Sequence, residues 1–502
     1  MTTAGYDAGR PAAPGPAVPR SNAASPGPPR CAAPRHRPLA AAEVARLHEA
    51  ALEALATRGV ALAGETARAL FIAAGATIEP VGGRLLLPVE LVRAAVAQAP
   101  ASFVLPGRVA ERDVTIGGGP GGLMAATAAA PDVAAAALLA DALPEVAVIG
   151  LPTRRLGELP AAVAASAKPL LVCGALSAAQ AAVVVAAAAA LAGRADRGQA
   201  DGERTDRERA DGERTDSERA DNEHTGTARP PVGVVVHSAQ QGDIDPLLAC
   251  ARAGLVCGFF VAPLLDGERP VDRSAALIAI HAAALAACAA AQLAAPGAPY
   301  LVPALASAIE DHAPGFGLGP AGVATFTQLA QLAAHAGLPI AAGFPPTRPA
   351  ADEWLAAADG TFVALAAALG GASLLAVAGH TDEAGVFSPA QLVLDAETWS
   401  NVAAVGAGIT VDDETLALET IAAVGIGGNA LAQRHTRSHM KEVWKPRLFD
   451  RTAFDTWERE GRRSAPQRAA TLAEELIAGH EVPPLGGEKA ATLRRIMQEA
   501  GL

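Results

Sequence analysis

EVAVIGLPTRRLGELPAAVAASAKPLLVCGALSAAQAAVVVAAAAALAG (145–193) holds two short runs of Val, Ile and Leu, each bounded by Pro or Gly and each followed by an Ala-rich stretch long enough for a helix. Runs that are apolar at consecutive rather than alternate positions suit strands buried on both faces, as in a parallel sheet flanked by helices. The same alternation continues downstream. To EVAVIGLP (145–152) and KPLLVCGA (168–175) it adds PVGVVVHS (231–238), LVCGFFVAP (255–263), PYLVPAL (299–305), LPIAAGF (338–344) and ASLLAVAGH (372–380) as strands. Helices are expected over 177–193, 244–253, 273–294, 320–336, 350–369 and 389–404. Strand and helix in strict succession imply a parallel sheet with helical crossovers, and seven clear strands plus one weak one close a (β/α)8 TIM barrel, an α/β fold. An open doubly wound sheet would carry a glycine-rich nucleotide fingerprint behind its first strand. IGGGPGGL (116–123) has the glycines, but no clear strand feeds it and no ribose-binding acid follows, so it is read as a flexible turn ahead of the barrel.

On either side the rhythm changes. Residues 41–108 alternate helical stretches with a small LLLP element and are expected to form a helical cap; residues 109–440 hold the barrel, and 441–502 a helical extension interrupted by Pro446, Pro466, Pro483 and Pro484. Residues 1–40 are too rich in Pro, Gly and Ala to pack, lack the apolar core of a signal peptide, and are read as a disordered tail. Between two barrel elements lie three copies of a polar decamer, ADGERTDRER (200–209), ADGERTDSER (210–219) and ADNEHTGTAR (220–229). A ten-residue polar period leaves nothing to bury, so 194–229 is expected to be an unfolded insertion. It falls between a helix and the next strand, which assigns it to the end of the barrel away from ligand chemistry.

Apolar residues make up 51% of the chain, yet there are only 2 Tyr, 4 Trp and 11 Phe. Hydrophobicity is carried by Ala, Val and Leu. The net charge of −12 and the lack of aromatics exclude a nucleic-acid surface, which needs a basic footprint and stacking platforms. Five cysteines with no CxxC spacing suggest neither a disulfide framework nor a cysteine zinc site, and a reducing cytoplasm fits them. LSAAQAAVVVAAAAALAG (176–193) is nearly long enough to span a bilayer, but Ala is a weak hydrophobe and a barrel helix accounts for the run, so no membrane span is expected.

In a barrel the chemistry sits on the loops that follow the strands. That selects His237, Ser238 and Gln240, then Leu265 and Asp266, Glu310, Asp311 and His312, Phe344 and Arg348, and finally His380, Asp382 and Glu383. His281 and His335 fall inside Ala-rich helices and are read as packing or surface residues. His435 and His439, four apart, share a helical face without a third ligand and are assigned a hydrogen-bonding role; no metal site is expected.

LHEAALEALATRGVAL (47–62), LPVELVRAAVAQAPASFVL (87–105), QLVLDAET (391–398), GITVDDETLALETIAAVGIGGNALAQRHTRSH (408–439) and PRLFDRTAFDTWEREG (446–461) together resemble, in order, the trimethylamine methyltransferase family of corrinoid-dependent enzymes, glycine betaine methyltransferase among them. The resemblance implies transfer of a methyl group from a methylated amine to the cobalt of cobalamin carried by a separate corrinoid protein, with no cofactor bound covalently. AAGFPPTRPAADEW (341–354), aligned with the barrel segment where trimethylamine enzymes carry pyrrolysine, contains only ordinary residues, which favours the non-pyrrolysine branch and quaternary amines such as betaines. A quaternary cation is held by aromatic faces and carboxylates.

The expected catalytic residues are His380, Asp382 and His237. Substrate contacts are expected from Glu310, Asp311, His312, Phe316, Phe344, Phe260 and Arg348, the last as a clamp for a betaine carboxylate. Phe259, Phe387 and Trp354 complete the aromatic candidates. The expected partners are the small amine and the corrinoid protein, with a homo-oligomer compatible, and neither nucleic acid nor membrane. The scarcity of aromatics sustains a second reading, a catalytically lapsed homologue that binds a methylated amine or a protein. Deleting residues 200–229 is expected to leave the melting temperature within about 2 °C of the full chain by circular dichroism, because an unpacked loop contributes little beyond chain entropy.

Overall fold

The structure is a computed structural model that describes residues 36–119, 121–127, 130–192, 230–237, 243–260, 272–305, 320–343, 353–381, 386–406, 409–449 and 451–502. The tail before residue 36 and the decamer repeats lie outside the described residues. Three helices, α1 (Ala41–Thr57), α2 (Glu65–Ala73) and α3 (Val89–Val96), come first, with a two-stranded ribbon of β1 (Thr77–Ile78) and β2 (Leu85–Leu86) between the second and third. A hairpin of β3 (Phe103–Leu105) and β4 (Val114–Ile116) then leads to the barrel.

The barrel strands are β5 (Leu123–Ala126), β6 (Val146–Pro152), β7 (Leu170–Gly174), β8 (Val232–His237), β9 (Cys257–Phe260), β10 (Val302–Leu305), β11 (Ile340–Gly343) and β12 (Leu374–Ala378). All pairings are parallel, in the order β10-β11-β12-β5-β6-β7-β8-β9. The ring is joined between β9 and β10, where Cys257 N–H donates to the Pro299 carbonyl at 3.0 Å and Leu301 N–H donates to the Cys257 carbonyl at 2.9 Å. The seven strands expected from sequence are all present, and the eighth is β5. The glycine run expected as a turn ahead of the barrel is a turn with a strand at each end, since Ile116 closes β4 and Leu123 opens β5. β5 escaped the sequence because Leu-Met-Ala-Ala is too short and too helix-favouring to read as a strand; its pairing with β6 and β12 imposes the conformation.

Between the strands run α4 (Val133–Ala142), α5 (Leu159–Ala164), α6 (Ala178–Leu191), α7 (Asp245–Arg252), α8 (Arg273–Ala294), α9 (Pro320–His335), α10 (Glu353–Gly370) and α11 (Pro389–Gly406). Local chemistry starts several of them: Ser177 and Gln180 form a capping box on α6, and Asp272 accepts the Ser274 and Ala275 amides at the start of α8. α8 buries fourteen of its 22 residues, because its inner side meets the sheet and its outer side is covered by α1, α2 and α3. This sandwiched position explains why an apolar helix long enough to cross a bilayer belongs to the barrel wall. α6 is covered in turn by the last helix, and α4 by the one before it. The chain ends in α12 (Asp413–Leu416), α13 (Leu418–Val424), α14 (Arg434–His439), α15 (Phe454–Arg459), α16 (Ala465–Gly479) and α17 (Gly487–Glu499).

The two sides of the strands make different cores. Leu170, Val172, Ile149, Val234 and Leu375 join the main core between sheet and helices. Their strand neighbours Val148, Leu171, Leu374 and Ala341 form a second cluster with Leu301 and with Phe103, Leu105 and Ile116 of the hairpin. Period-two geometry puts this second set inside the barrel, near the strand starts, so the hairpin plugs the N-terminal end.

A four-way knot fastens the same end. The buried Asp141 carboxylate, at the end of α4, accepts from Ser166 Oγ at 2.8 Å, Ala167 N–H at 2.8 Å, Arg112 at 3.2 Å and His480 Nε2 at 2.8 Å. Burial opposes its charge, but the bonds from His480, Ser166 and Ala167 with the charge of Arg112 outweigh that and hold its pKa below the usual range. Beside it, Lys168 Nζ donates to the carbonyls of Ala140 and Leu143, each at 2.6 Å; burial, aided by Arg112, pushes its pKa down to about 7.

Phe103→Ala is expected to lower the free energy of unfolding by about 3 kcal/mol, since it removes the plug's largest side chain from a closed end. The same truncation at the exposed Phe454 is expected to cost less than about 1 kcal/mol, both measured by urea denaturation.

Candidate functional site

Above the plug the barrel is lined by small groups. The inward positions of the upper strands are Gly150, Cys173, Val235, Gly258, Pro303 and Ala376, following the parity set by Val148, Leu171, Leu301 and Leu374. Cys173, Val235, Pro303 and Ala376 are half-buried, whereas the outward residues Val172, Val234, Val302 and Leu375 beside them are buried. At these upper positions the less buried side of the strands is thus the inside, toward the C-terminal mouth. Apolar surroundings push the Cys173 thiol up to about 12, so it is protonated at neutral pH and a poor nucleophile.

The rim is held by polar bonds between successive loops. Thr127, just beyond β5, is fully buried and donates its hydroxyl to the Gly150 carbonyl at 2.8 Å. Arg155, just beyond β6, grips Glu158 with Nε at 2.6 Å and Nη2 at 3.0 Å, and its remaining amine donates to the Ala130 carbonyl beyond β5. Gly174 ends β7 at φ +129°, where a Cβ would fall 2.7 Å from the Thr153 hydroxyl, so only glycine lets these two loops meet.

His380 follows β12 in a short hairpin, paired with Phe387, while Thr381 N–H donates to the Val386 carbonyl at 2.9 Å and Ser388 N–H to the Gly379 carbonyl at 2.8 Å. Gly379 precedes it at φ +90°, with the Phe387 ring where a Cβ would be. Behind this turn stands Asp395 of α11, accepting Gly379 N–H at 2.7 Å and Gln391 Nε2 at 2.7 Å. Burial raises the Asp395 carboxyl to about 6, only partly countered by the bonds from Gly379 and Gln391. Its role is to hold the hairpin that carries His380.

Among the expected site residues, His380 is therefore described in its setting. His237 and Phe260 end neighbouring strands and are partners in the β8–β9 register, so the backbone brings both to one side of the mouth. Asp382, Glu310, Asp311, His312, Phe316, Phe344 and Arg348 lie outside the described residues, as do Ser238, Gln240, Leu265, Asp266 and Glu383. Two aromatic candidates belong to packing: Phe387 is buried against Gly379 in the main core, and Phe259 packs on that core from the outer side of β9. Sequence reading missed Asp395, although an acid set within the apolar stretch QLVLDAET was the available signal, and it missed Thr127 and Arg155, whose roles depend on loops distant in sequence.

Other polar clusters lie away from the mouth. His281, read as packing, is buried and meets His48 of α1 with ring nitrogens 2.9 Å apart, and His335 of α9 stands edge-on to His48. Burial, then the neighbouring His48 and His335, push His281 down to about 3, so His281 is a neutral base where cap meets barrel. His435 reaches the Glu414 carbonyl at 2.9 Å and His439 the Glu442 carboxylate at 2.7 Å. Among the described residues no group of three His, Cys, Asp or Glu is arranged to hold a metal ion. A cavity of about 190 Å³ lined by Arg447, Trp457, Arg463, Arg468 and Glu475 sits at the opposite end of the barrel, because Arg447 pairs with Glu145 just ahead of β6.

The profile of the trimethylamine methyltransferase (MTTB) family matches residues 9–138 and 239–499. Trimethylamine methyltransferase MttB of Desulfitobacterium hafniense DCB-2 is 26% identical over 276 residues, 54% of this chain and 53% of the relative. The enzyme of the same name from Methanosarcina barkeri Fusaro is 34% identical over 173 residues, 34% of this chain and 35% of the relative. Glycine betaine methyltransferase of D. hafniense Y51 is 26% identical over 261 residues, 51% of this chain and 54% of the relative. The chain thus spans about half the length, or less, of the curated relatives it matches.

Asp395 makes the site pH-sensitive in a defined direction. Its folded carboxyl keeps a proton to about pH 6 against an ordinary value of 3.8, so the free energy of unfolding is expected to fall as pH rises from 4 to 6. Asp395→Asn can still accept Gly379 N–H, and it is expected to flatten that slope and to melt above the parent at pH 7.5. Calorimetric melts of both proteins across pH 4–8 check this.

Proposed function

Since the chain belongs to the trimethylamine methyltransferase family, we propose that it moves a methyl group from a methylated amine, in the first instance a quaternary one such as a betaine, to a corrinoid carried by a separate protein. The observation that carries this reading is the inside of the barrel, filled at the N-terminal end by the hairpin plug and lined toward the C-terminal mouth by short side chains that are only half-buried. In an eight-stranded α/β barrel a small ligand sits among the loops at the C-terminal mouth, and the interior is far too narrow for a corrinoid macrocycle to enter. The residues therefore fit a division in which the amine enters the barrel and the corrinoid stays at the rim on its own protein. When docked there, the corrinoid supplies a strongly nucleophilic reduced cobalt.

The chain's own contribution is to bind, aim and dry. A quaternary nitrogen departs as a neutral tertiary amine, so no proton need be delivered and His380 need not act as an acid. We assign His380 and His237, with Asp382 on the loop beyond β12, to orienting the cation so that one methyl faces the rim. Glu310, Asp311 and His312, with Phe260, Phe316 and Phe344, would supply the anionic and aromatic surface against the cation, and Arg348 would clamp a substrate carboxylate. The apolar lining of Val235, Pro303 and Ala376 keeps water from competing for the methyl group. Asp395 acts through the His380 hairpin as a positioning residue. The scarcity of aromatics, among which Phe259 and Phe387 are committed to packing, favours as second reading a homologue that binds such an amine without turning it over.

The purified protein mixed with reduced cobalamin and glycine betaine, carnitine or proline betaine is expected to form methylcobalamin with at least one of them, followed by its absorbance. His380→Ala is expected to slow the reaction at least tenfold while leaving the fold intact, as expected for loss of an orienting contact. A folded protein that binds an amine by calorimetry yet forms no methylcobalamin with any donor would establish the second reading.

A further inference from the structure

At the N-terminal end of the barrel, α15, α16 and the turn between them line the cavity of about 190 Å³. Arg468, Leu472 and Glu475 stand on α16 at the spacing i, i+4, i+7, which puts all three on one face. Trp457 and Glu460, three apart, come from α15 and its C-terminal cap, and Arg463 follows in the turn. Leu448, which is buried, and the half-buried Leu472 supply apolar surface. The cleft is held by bonds within the chain. The Trp457 indole N–H donates to the Arg463 carbonyl at 3.2 Å, Ser464 and Gln467 form a capping box that starts α16, and Arg468 has its Nε buried.

The charges select the occupant. Arg447, which also borders the cavity, is committed to Glu145 at 2.8 Å and to Glu397 at 3.5 Å. Arg463 and Arg468 then face the cavity together with Glu460 and Glu475, two charges of each sign. Among the described residues Arg463, Glu460 and Glu475 form no ion pair, with one another or with any other side chain. On α16 the two signs are kept apart by the fold, since seven residues separate Arg468 from Glu475 by about 10 Å along the axis. A plain anion would meet two carboxylates here and a plain cation two guanidiniums, whereas a molecule carrying both charges satisfies both sets. The indole of Trp457 adds a surface that attracts a cationic nitrogen. The volume is below the roughly 300–1,000 Å³ of sites for drug-sized ligands, so the molecule is small.

We propose that this cavity is a second ligand site, which takes a small zwitterion with an ammonium group and a carboxylate joined by a short carbon chain, the chemistry shared by betaines and amino acids. Arg463 and Arg468 receive the carboxylate, Glu460 and Glu475 with the indole of Trp457 receive the ammonium, and Leu448 and Leu472 meet the carbons between. A ligand here is held and not converted, because the site lies at the end of the barrel opposite the loops that follow the strands. The inference goes beyond the methyl-transfer reading and does not need it.

Hydrogen–deuterium exchange of the full chain reads the two ends of the barrel separately. Glycine betaine and glycine are compared at about 10 mM, and at least one is expected to slow exchange of amides within residues 454–475 by about threefold or more, the effect of a ligand at about twice its dissociation constant. The comparison tells a quaternary from a primary ammonium as the preferred group. Choline and acetate, which carry one charge each, are expected to leave these amides unprotected at the same concentration. Glu460→Gln with Glu475→Gln, and separately Arg463→Gln, change exposed side chains and are expected to abolish the protection with an unchanged circular dichroism spectrum. His380→Ala, at the mouth, is expected to retain it. Absence of protection by both zwitterions, equal protection by choline or acetate, protection that survives the cavity variants, or protection lost in His380→Ala would overturn the proposal.

Discussion

Closure of the sheet between β9 and β10 is the constraint on which the rest of the structure depends. It passes through the backbone of Cys257, which donates to Pro299 and accepts from Leu301. One glycine makes the approach feasible: a Cβ on Gly258 would lie 2.6 Å from the Leu301 carbonyl. With the ring shut, the eight barrel strands leave no edge for pairing with another chain, and one face of each is turned inside. What fills that inside then decides which end is open. Phe103, Leu105 and Ile116 fill it from below, and the residues above them toward the mouth are short.

Stability and chemistry consequently occupy opposite ends. At the plugged end Asp141 binds three separate stretches: the turn of the β3–β4 hairpin through Arg112, the Ser166–Ala167 pair ahead of β7, and the end of α16 through His480. A buried carboxylate is tolerable only where such donors replace its water, and this one has four. At the open end the polar groups serve to aim loops: Thr127, Arg155 and Asp395 each fasten a segment that follows a strand. Asp395 lacks the charged partners of Asp141 and titrates far higher, so the two buried acids show opposite shifts for a stated cause.

The Ala-rich composition bears on both. Helices such as α8 lie between the sheet and an outer layer and have no polar face, which the sequence displays as long apolar runs and which only packing distinguishes from a membrane span. The same composition leaves few aromatics for a cation site, and the fold commits Phe259 and Phe387 to the core. The stretch from Ile409 to Trp444 shows the opposite use of hydrophobic residues, with Ile409, Leu418 and Ile426 exposed.

The sequence by itself determined the α/β barrel, because seven runs of consecutive Val, Ile and Leu, each followed by a helix-length Ala-rich stretch, leave a parallel sheet buried on both faces as the only consistent arrangement. It also marked the strand ends where His237, Phe260 and His380 stand, since position along a barrel strand follows from order in the chain. Tertiary structure alone decided the rest. Leu-Met-Ala-Ala becomes a strand because β6 and β12 pair with it from either side. His281 becomes a buried neutral base because His48 and His335 arrive from other helices, and Asp395 becomes a support for His380 because α11 folds back on the turn after β12. In each case the deciding contact joins residues whose proximity no local period encodes, and the free energy of burial and hydrogen bonding exists only once the barrel has closed.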